Sequence, residues 1–129
     1  MNMLETARAY LVSAAALSAA LGVALGAYGS HGLAVDQSLV DIWKTGVTYQ
    51  MIHALAALAA QWLASTRTGA MHKLCKVAGW ALLLGSWAFS GSLYFFVIDG
   101  IVPIQGLAPA GGMVMIAGWL MIAFAALRR

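Results

Sequence analysis

The sequence predicts an all-α protein, a bundle of four transmembrane helices joined by short loops. Three observations predict this fold class: the scarcity of charge, four apolar runs long enough to cross a bilayer, and turn-forming residues between those runs. Of the 129 residues, 63% are hydrophobic and only 9% are charged, against about 25% charged in an ordinary soluble domain. A soluble domain this small needs polar groups over much of its surface, so we expect much of this surface to face lipid.

The apolar runs define the four elements, since about 20 apolar residues cross about 30 Å of hydrocarbon as a helix. The predicted spans are residues 9–28, 46–64, 77–98 and 109–127. None contains Asp, Glu, Lys or Arg, each of which costs about 2.5–3.5 kcal/mol at the centre of a span. The first run exceeds the usual 7–15 apolar residues of a signal peptide, so we interpret it as an uncleaved span. Residues 1–129 are thus predicted to form a single integral membrane domain.

Turn-forming residues mark where the spans end. The first span is followed by Gly29 and Gly32, and the third ends at Asp99 and Gly100. Pro109 falls in the first turn of the fourth span, where a helix tolerates proline because the missing backbone donor would have no partner there.

The distribution of Lys and Arg predicts the orientation in the membrane. One side of the predicted topology carries six basic residues, and the opposite side carries only Lys44. The six are Arg8, Arg67, Lys73, Lys76, Arg128 and Arg129. Because cytoplasmic loops carry the excess of positive charge, both termini are predicted to be cytoplasmic. These residues form no basic stripe, so the net charge of +3 does not indicate a nucleic-acid partner.

The first span contains small residues at a strict spacing of four, which predicts a helix-packing ridge. The ridge consists of Ala14, Ser18, Gly22, Gly26 and Ser30. Small residues let the backbones of two membrane helices approach closely. Two interpretations stay open: the ridge packs within this chain, or it binds a second copy or another membrane protein.

Polar residues cluster in the outer halves of the second and third spans and at the end of the first. The candidate site consists of His31, Tyr49, Gln50, His53, Ser90 and Tyr94. Polar groups inside a membrane need partners and often mark a functional site. Four interpretations stay open: a structural hydrogen-bond network, a site for a lipid headgroup, quinone or small solute, a metal site built on the two histidines, or a catalytic site with His53 as base.

Three short motifs resemble those of a known family. Residues 26–33 read Gly-Ala-Tyr-Gly-Ser-His-Gly-Leu, residues 49–53 read Tyr-Gln-Met-Ile-His, and residues 89–94 read Phe-Ser-Gly-Ser-Leu-Tyr. Together with the last span, they resemble the small membrane proteins called domain of unknown function 423, which transmembrane protein 256 of animals also resembles. The resemblance implies four spans and a bacterial inner-membrane location. It implies no activity, substrate or cofactor.

The most economical functional hypothesis is a non-enzymatic accessory or interaction protein whose partners are the bilayer and either itself or another membrane protein. The alternative is a membrane protein that binds a small ligand, a lipid or quinone, or a metal through the polar cluster. We predict no catalytic residues, no resident metal and no cofactor. The single cysteine, Cys75, excludes an internal disulfide.

Overall fold

The computed structural model describes residues 1–128, and this part of the chain folds into four α-helices. The helices are α1 (Met3–His31), α2 (Gln37–Ser65), α3 (Gly69–Asp99) and α4 (Leu107–Ala126). Asn2 caps α1: its side chain accepts from the Glu5 amide at 2.9 Å, and the Glu5 carboxylate accepts from the Asn2 amide at 3.0 Å. The predicted all-α fold with four helices and short loops is confirmed.

The first three helices are longer than the apolar runs that predicted them. α2 begins at Gln37, whereas its predicted span begins at residue 46. A helix of 29 residues is about 43 Å long, which exceeds the roughly 30 Å of hydrocarbon. The additional turns include polar residues, such as Gln37 and Asp41 of α2, which an apolar-run criterion leaves out.

Three of the described helices, α1, α3 and α4, are long and apolar enough to cross a membrane. α2, which contains the predicted second span (residues 46–64), is not among these three. The physical reason is its position, because α2 packs against both α1 and α3. Its polar residues Gln50, His53 and Gln61 are buried within the fold and need not face lipid.

The four helices form an open arrangement around a central pair. α2 and α3 pack along much of their length, α1 is attached to α2, and α4 is attached to α3. Within residues 1–128, α1 touches α3 at only a few positions, and α1 and α4 are not packed together. We call the end with both termini and the α2–α3 loop the terminal end, and the other the two-loop end.

Small residues bring α1 against α2, but not along the whole predicted ridge. A Cβ on Gly22 would lie 2.5 Å from Met51 Sδ, and one on Gly29 would lie 2.5 Å from Trp43 Cδ1. The buried residues of α1 are Leu11, Ala15, Ser18, Gly22 and Gly29. At 3.6 residues per turn, a strict spacing of four rotates by about 40° per step. Ser30 is therefore carried off this face and is exposed, and the interface uses Gly29 in its place.

The α3–α4 interface has the closest backbone approach of the fold. A Cβ on Gly111 would lie 2.6 Å from the Gly85 carbonyl oxygen and 2.8 Å from the Phe89 amide nitrogen. A Cβ on Gly85 would lie 2.8 Å from the Gly111 carbonyl oxygen. Only glycine at both positions leaves room for this crossing, which fixes α4 on α3.

Arg67, in the α2–α3 loop, holds the last turn of α4 at the terminal end. Its Nε donates to the Ala125 carbonyl and its Nη2 to the Ala126 carbonyl, both at 3.0 Å. Cations are favourable at helix carboxyl ends, where the carbonyls lack intrahelical partners. Arg67 thus has a structural role besides being one of the six basic residues that predict the orientation in the membrane. Arg129, the last of those six, lies outside the described residues.

Candidate functional site

A groove of about 400 Å³ opens where α1 and α3 diverge above α2. We call it the α1–α3 groove. It is lined by Ala14, Leu17, Ser18, Leu21, Leu25, Gln50, Trp87, Ser90, Gly91 and Tyr94. Most of the lining is aliphatic or aromatic, and none of it is charged. The groove extends from the middle of the helices toward the two-loop end.

Gln50 links three helices at the floor of this groove. Its Oε1 accepts from the Tyr94 hydroxyl of α3 at 2.7 Å, and its Nε2 donates to the Ser18 carbonyl of α1 at 2.8 Å. The orientation of the amide follows from this arrangement, since a carbonyl oxygen can only accept. Gln50 is 3% exposed, so these bonds are shielded from competing water.

Two further hydrogen bonds join the helices around the groove. The Ser90 hydroxyl donates to the Gly46 carbonyl of α2 at 2.7 Å. Trp87 Nε1 donates to Ser18 Oγ at 2.9 Å and so connects α3 to α1. The polar groups at the floor of the groove are therefore neutral and almost fully buried, and the surface open to a ligand is largely apolar.

His53 lies in a second group that connects α2 to α4. Trp119 Nε1 donates to His53 Nε2 at 3.1 Å. Nε2 must then be the unprotonated nitrogen, and Nδ1 carries the hydrogen that it donates to the Tyr49 carbonyl at 2.7 Å. The Tyr49 ring lies parallel to the imidazole, with centroids 5.8 Å apart.

This pairing occupies both ring nitrogens of His53. A metal ion or a substrate proton would have to displace either the Trp119 indole or the Tyr49 carbonyl. Within residues 1–128, no group of three His, Cys, Asp or Glu side chains is placed to hold a metal ion. The arrangement can therefore hold α2 against α4 without further rearrangement.

The six predicted site residues separate into three places. Gln50, Ser90 and Tyr94 meet at the groove, and Tyr49 and His53 form the group beside α4. His31 is exposed at the end of α1. Since Gly29 lies opposite Trp43 and His53 is ten residues further along α2, the two histidines are more than about 15 Å apart along the helix axis.

Sequence reasoning did not assign Trp87 and Trp119 to the site, and it treated Ser18 only as a packing residue. The available signal was the indole N–H. An indole N–H within hydrocarbon needs an acceptor even on a partly exposed ring, and Ser18 and His53 are the acceptors used. Which acceptor each indole reaches depends on helix rotation, which the sequence alone does not specify.

Trp119→Phe should destabilise the protein by about 1–3 kcal/mol, because it leaves the buried His53 Nε2 without a donor. Adding His53→Phe should recover part of this loss, since no unpaired nitrogen then remains. Trp62→Phe is the matched control, because Trp62 is 68% exposed and should change stability little. Detergent-titrated unfolding followed by circular dichroism measures all four proteins. Equal effects of Trp119→Phe and Trp62→Phe would contradict this role.

Comparison with known proteins finds a family that matches most of the chain. A family model described as "Protein of unknown function (DUF423)" matches residues 25–112. UPF0382 membrane protein YwdK of Bacillus subtilis is 39% identical over 88 residues, covering 67% of this chain and 70% of the relative. A UPF0382 membrane protein of Staphylococcus epidermidis is 36% identical over 88 residues, covering 67% and 69%.

The relatives are not confined to bacteria. A UPF0382 membrane protein of Schizosaccharomyces pombe is 40% identical over 86 residues, covering 62% of this chain and 65% of the relative. No solved structure gives a significant match. The region matched by the family model contains Gln50, His53, Ser90 and Tyr94 but not Ser18 or Trp119.

Proposed function

The chain belongs to the DUF423 family of membrane proteins of unknown function, and from this premise we propose that it is a non-enzymatic protein that binds a lipophilic molecule in the α1–α3 groove. The observation that carries the proposal is the groove itself, which has apolar walls and a buried polar floor within a membrane-spanning helix pair. This proposal develops the ligand-binding alternative of the sequence analysis.

The size and chemistry of the groove support binding. Its volume of about 400 Å³ falls in the range of about 300–1,000 Å³ typical of small-molecule sites, which are mainly apolar with a few placed polar groups. Ser18, Gln50 and Ser90 are buried at its floor. A molecule that enters from the lipid would meet hydrocarbon on the walls and, at the floor, a few hydrogen-bonding groups that are themselves almost fully buried.

The polar groups of the floor support recognition rather than chemistry. They are hydroxyl, amide and indole groups, and those described above already connect helices through hydrogen bonds. His53, the residue best suited to proton transfer, is paired outside the groove lining with Trp119 and Tyr49. A binding role uses the site as it stands.

Gly91→Leu should fill the groove and abolish binding of the lipophile. Gly91 lines the groove, and a Cβ at this position meets no atom within 4 Å, so the leucine extends into open space. Mass spectrometry of protein released gently from native-membrane nanodiscs measures the co-purified lipophile. We expect bound mass on the wild type and its loss, by at least tenfold, in Gly91→Leu.

Gly112→Leu is the matched control for this experiment. Gly112 is on α4, away from the groove, and a Cβ there also meets no atom within 4 Å. Both variants add the same side chain to an open helix face, so a general effect of leucine would appear in both. Equal retention in wild type and both variants would overturn the proposal.

An accessory role is the second candidate, favoured by the uncovered side of α1. α1 packs mainly on α2, and its other side exposes small residues that permit close helix approach. These are Ser13, Ala16, Ala20, Ala24 and Ala27. A stoichiometric protein partner or a second copy in the same mass spectra would support this candidate.

We further propose that the chain lies in the inner (plasma) membrane as a multi-pass protein with both termini cytoplasmic. The charge distribution supports this orientation. Arg8 and Lys76 are on α1 and α3 toward the terminal end, Arg67 is in the loop there, and Lys44 is near the two-loop end of α2. Cytoplasmic anionic lipids and the translocation machinery both favour basic residues on the inner side.

A further inference from the structure

We infer that the α1–α3 groove takes a neutral lipophile with a carbonyl group on a flat ring, the chemical class of the quinones. This inference rests on the proposed function and specifies its ligand. Three features of the groove support this ligand class: the depth of the polar floor, the hydrogen-bond donors left free there, and the character of the walls.

The polar floor lies near the middle of α1 and α2 along their length. The midpoint of α1 (Met3–His31) falls at residue 17, and the midpoint of α2 (Gln37–Ser65) falls at residue 51. Ser18 and Gln50 are each one residue from these midpoints. The ester carbonyls of phospholipids lie at the edge of the hydrocarbon, about 15 Å from its centre. A ligand that meets Ser18 must therefore carry its polar group into the hydrocarbon interior.

Two donors at this depth have no protein partner within residues 1–128. The Ser18 hydroxyl accepts from Trp87 but donates to no described group, and one hydrogen of Gln50 Nε2 remains after the other is donated to the Ser18 carbonyl. Both residues line the groove. Because an unpaired donor in hydrocarbon is costly, a ligand oxygen that accepts from them is favoured.

The walls select for a neutral ligand with a flat, conjugated ring. Trp87 and Tyr94 line one side, and their rings offer faces for offset stacking on a flat ring. Leu17, Leu21 and Leu25 line the other side along α1 and suit an aliphatic tail. No lining residue is charged, so an anionic headgroup or a cation would find no counter-charge.

Paired ligands test this inference directly. The probes are 2-decyl-1,4-benzoquinone and decylbenzene, which share ring and tail and differ in the two carbonyl groups. Partition of each probe between protein-containing and empty nanodiscs measures affinity. We expect the quinone to bind at least tenfold more tightly than decylbenzene, and the infrared carbonyl stretch of the bound quinone to shift to lower frequency because the carbonyl accepts a hydrogen bond.

Ser18→Ala should weaken quinone binding about five- to tenfold, the loss expected for one hydrogen bond, and leave decylbenzene binding unchanged. Gln61→Leu is the control, because Gln61 of α2 is a buried polar residue like Ser18 but does not line the groove. The infrared shift is measured on the wild-type protein, so it shows whether the bound carbonyl accepts a hydrogen bond even if Ser18→Ala folds poorly.

The outcomes separate this inference from the proposed function. If both probes bind equally and Gly91→Leu blocks both, the groove binds lipophiles but the quinone class is wrong. The quinone class is also wrong if a phospholipid displaces the quinone from the wild-type groove and Gly91→Leu prevents the binding of both molecules. If neither probe is affected by Gly91→Leu, the proposed function itself fails.

Discussion

Gly111→Leu is expected to detach α4 from α3 and to destabilise the protein by more than about 3 kcal/mol. Even a Cβ at this position would lie 2.6 Å from the Gly85 carbonyl oxygen and 2.8 Å from the Phe89 amide nitrogen. Both are backbone atoms, which cannot rotate away as a side chain can. Overpacking by a few methylenes in a well-packed core costs about 1–3 kcal/mol, and leucine adds a whole side chain against backbone.

The detachment should extend to the contacts that depend on α4. The Trp119–His53 hydrogen bond and the Arg67 contacts with Ala125 and Ala126 all require α4 to lie close to the rest of the fold. Losing them leaves a buried imidazole nitrogen without its donor. This is why the expected effect exceeds that of any other single substitution considered for this protein.

Gly112→Leu again supplies the control, since it places leucine one residue away on an open face of the same helix. Unfolding in mixed micelles with increasing sodium dodecyl sulfate, followed by circular dichroism, compares the two variants with wild type. We expect Gly112→Leu to unfold at nearly the wild-type midpoint. Similar midpoints for Gly111→Leu and Gly112→Leu would contradict the close α3–α4 crossing.

Gln50→Leu is expected to destabilise the protein by about 1–3 kcal/mol. It keeps a similar volume but removes two interhelical hydrogen bonds, one from the Tyr94 hydroxyl and one to the Ser18 carbonyl. Such bonds average about 0.6 kcal/mol in membrane proteins and reach about 1.7 kcal/mol. The Tyr94 hydroxyl would also lose its acceptor, which adds a desolvation cost.

A double-mutant cycle isolates the Gln50–Tyr94 bond. Tyr94→Phe removes the hydroxyl, so Gln50→Leu combined with Tyr94→Phe should cost less than the two single changes added together. Gln61→Leu is the matched control: Gln61 Oε1 is buried and has no hydrogen-bond partner within residues 1–128. Its replacement should be neutral or stabilising. Strict additivity in the cycle would exclude the bond.

The number and approximate positions of the helices could be predicted from the sequence, because each depends on the length of a local apolar run and on the charged residues that flank it. Residues 9–28 and 109–127 are apolar runs, and they fall almost wholly within α1 and α4. The longer extent of α2 could not be predicted in this way, because the polar segment that starts at Gln37 is helical without being apolar. The use of Gly29 instead of Ser30 follows from the 3.6-residue period, which a strict spacing of four ignores.

The candidate site could be predicted in part. Gln50, Ser90 and Tyr94 were recognisable because polar groups in a span need partners, and they do line one groove. The separation of His53 from that groove could not be predicted. It depends on α1 and α3 lying next to Gln50 while α4 lies next to His53. The distance between His31 and His53 depends on the antiparallel register of α1 and α2, which Gly29 and Trp43 set through a packing contact.

The central claim is that a lipophile occupies the α1–α3 groove, and photolabelling tests it most directly. A diazirine-bearing alkyl benzoquinone would be irradiated with the wild-type protein in nanodiscs, and the adducts mapped by peptide mass spectrometry. We predict adducts concentrated on groove residues such as Leu17, Leu21 and Gly91, with their loss in Gly91→Leu. The claim would be contradicted if the exposed α4 residues Met113, Ile116 and Leu120 were labelled as strongly as the groove residues, and if this pattern were unchanged in Gly91→Leu.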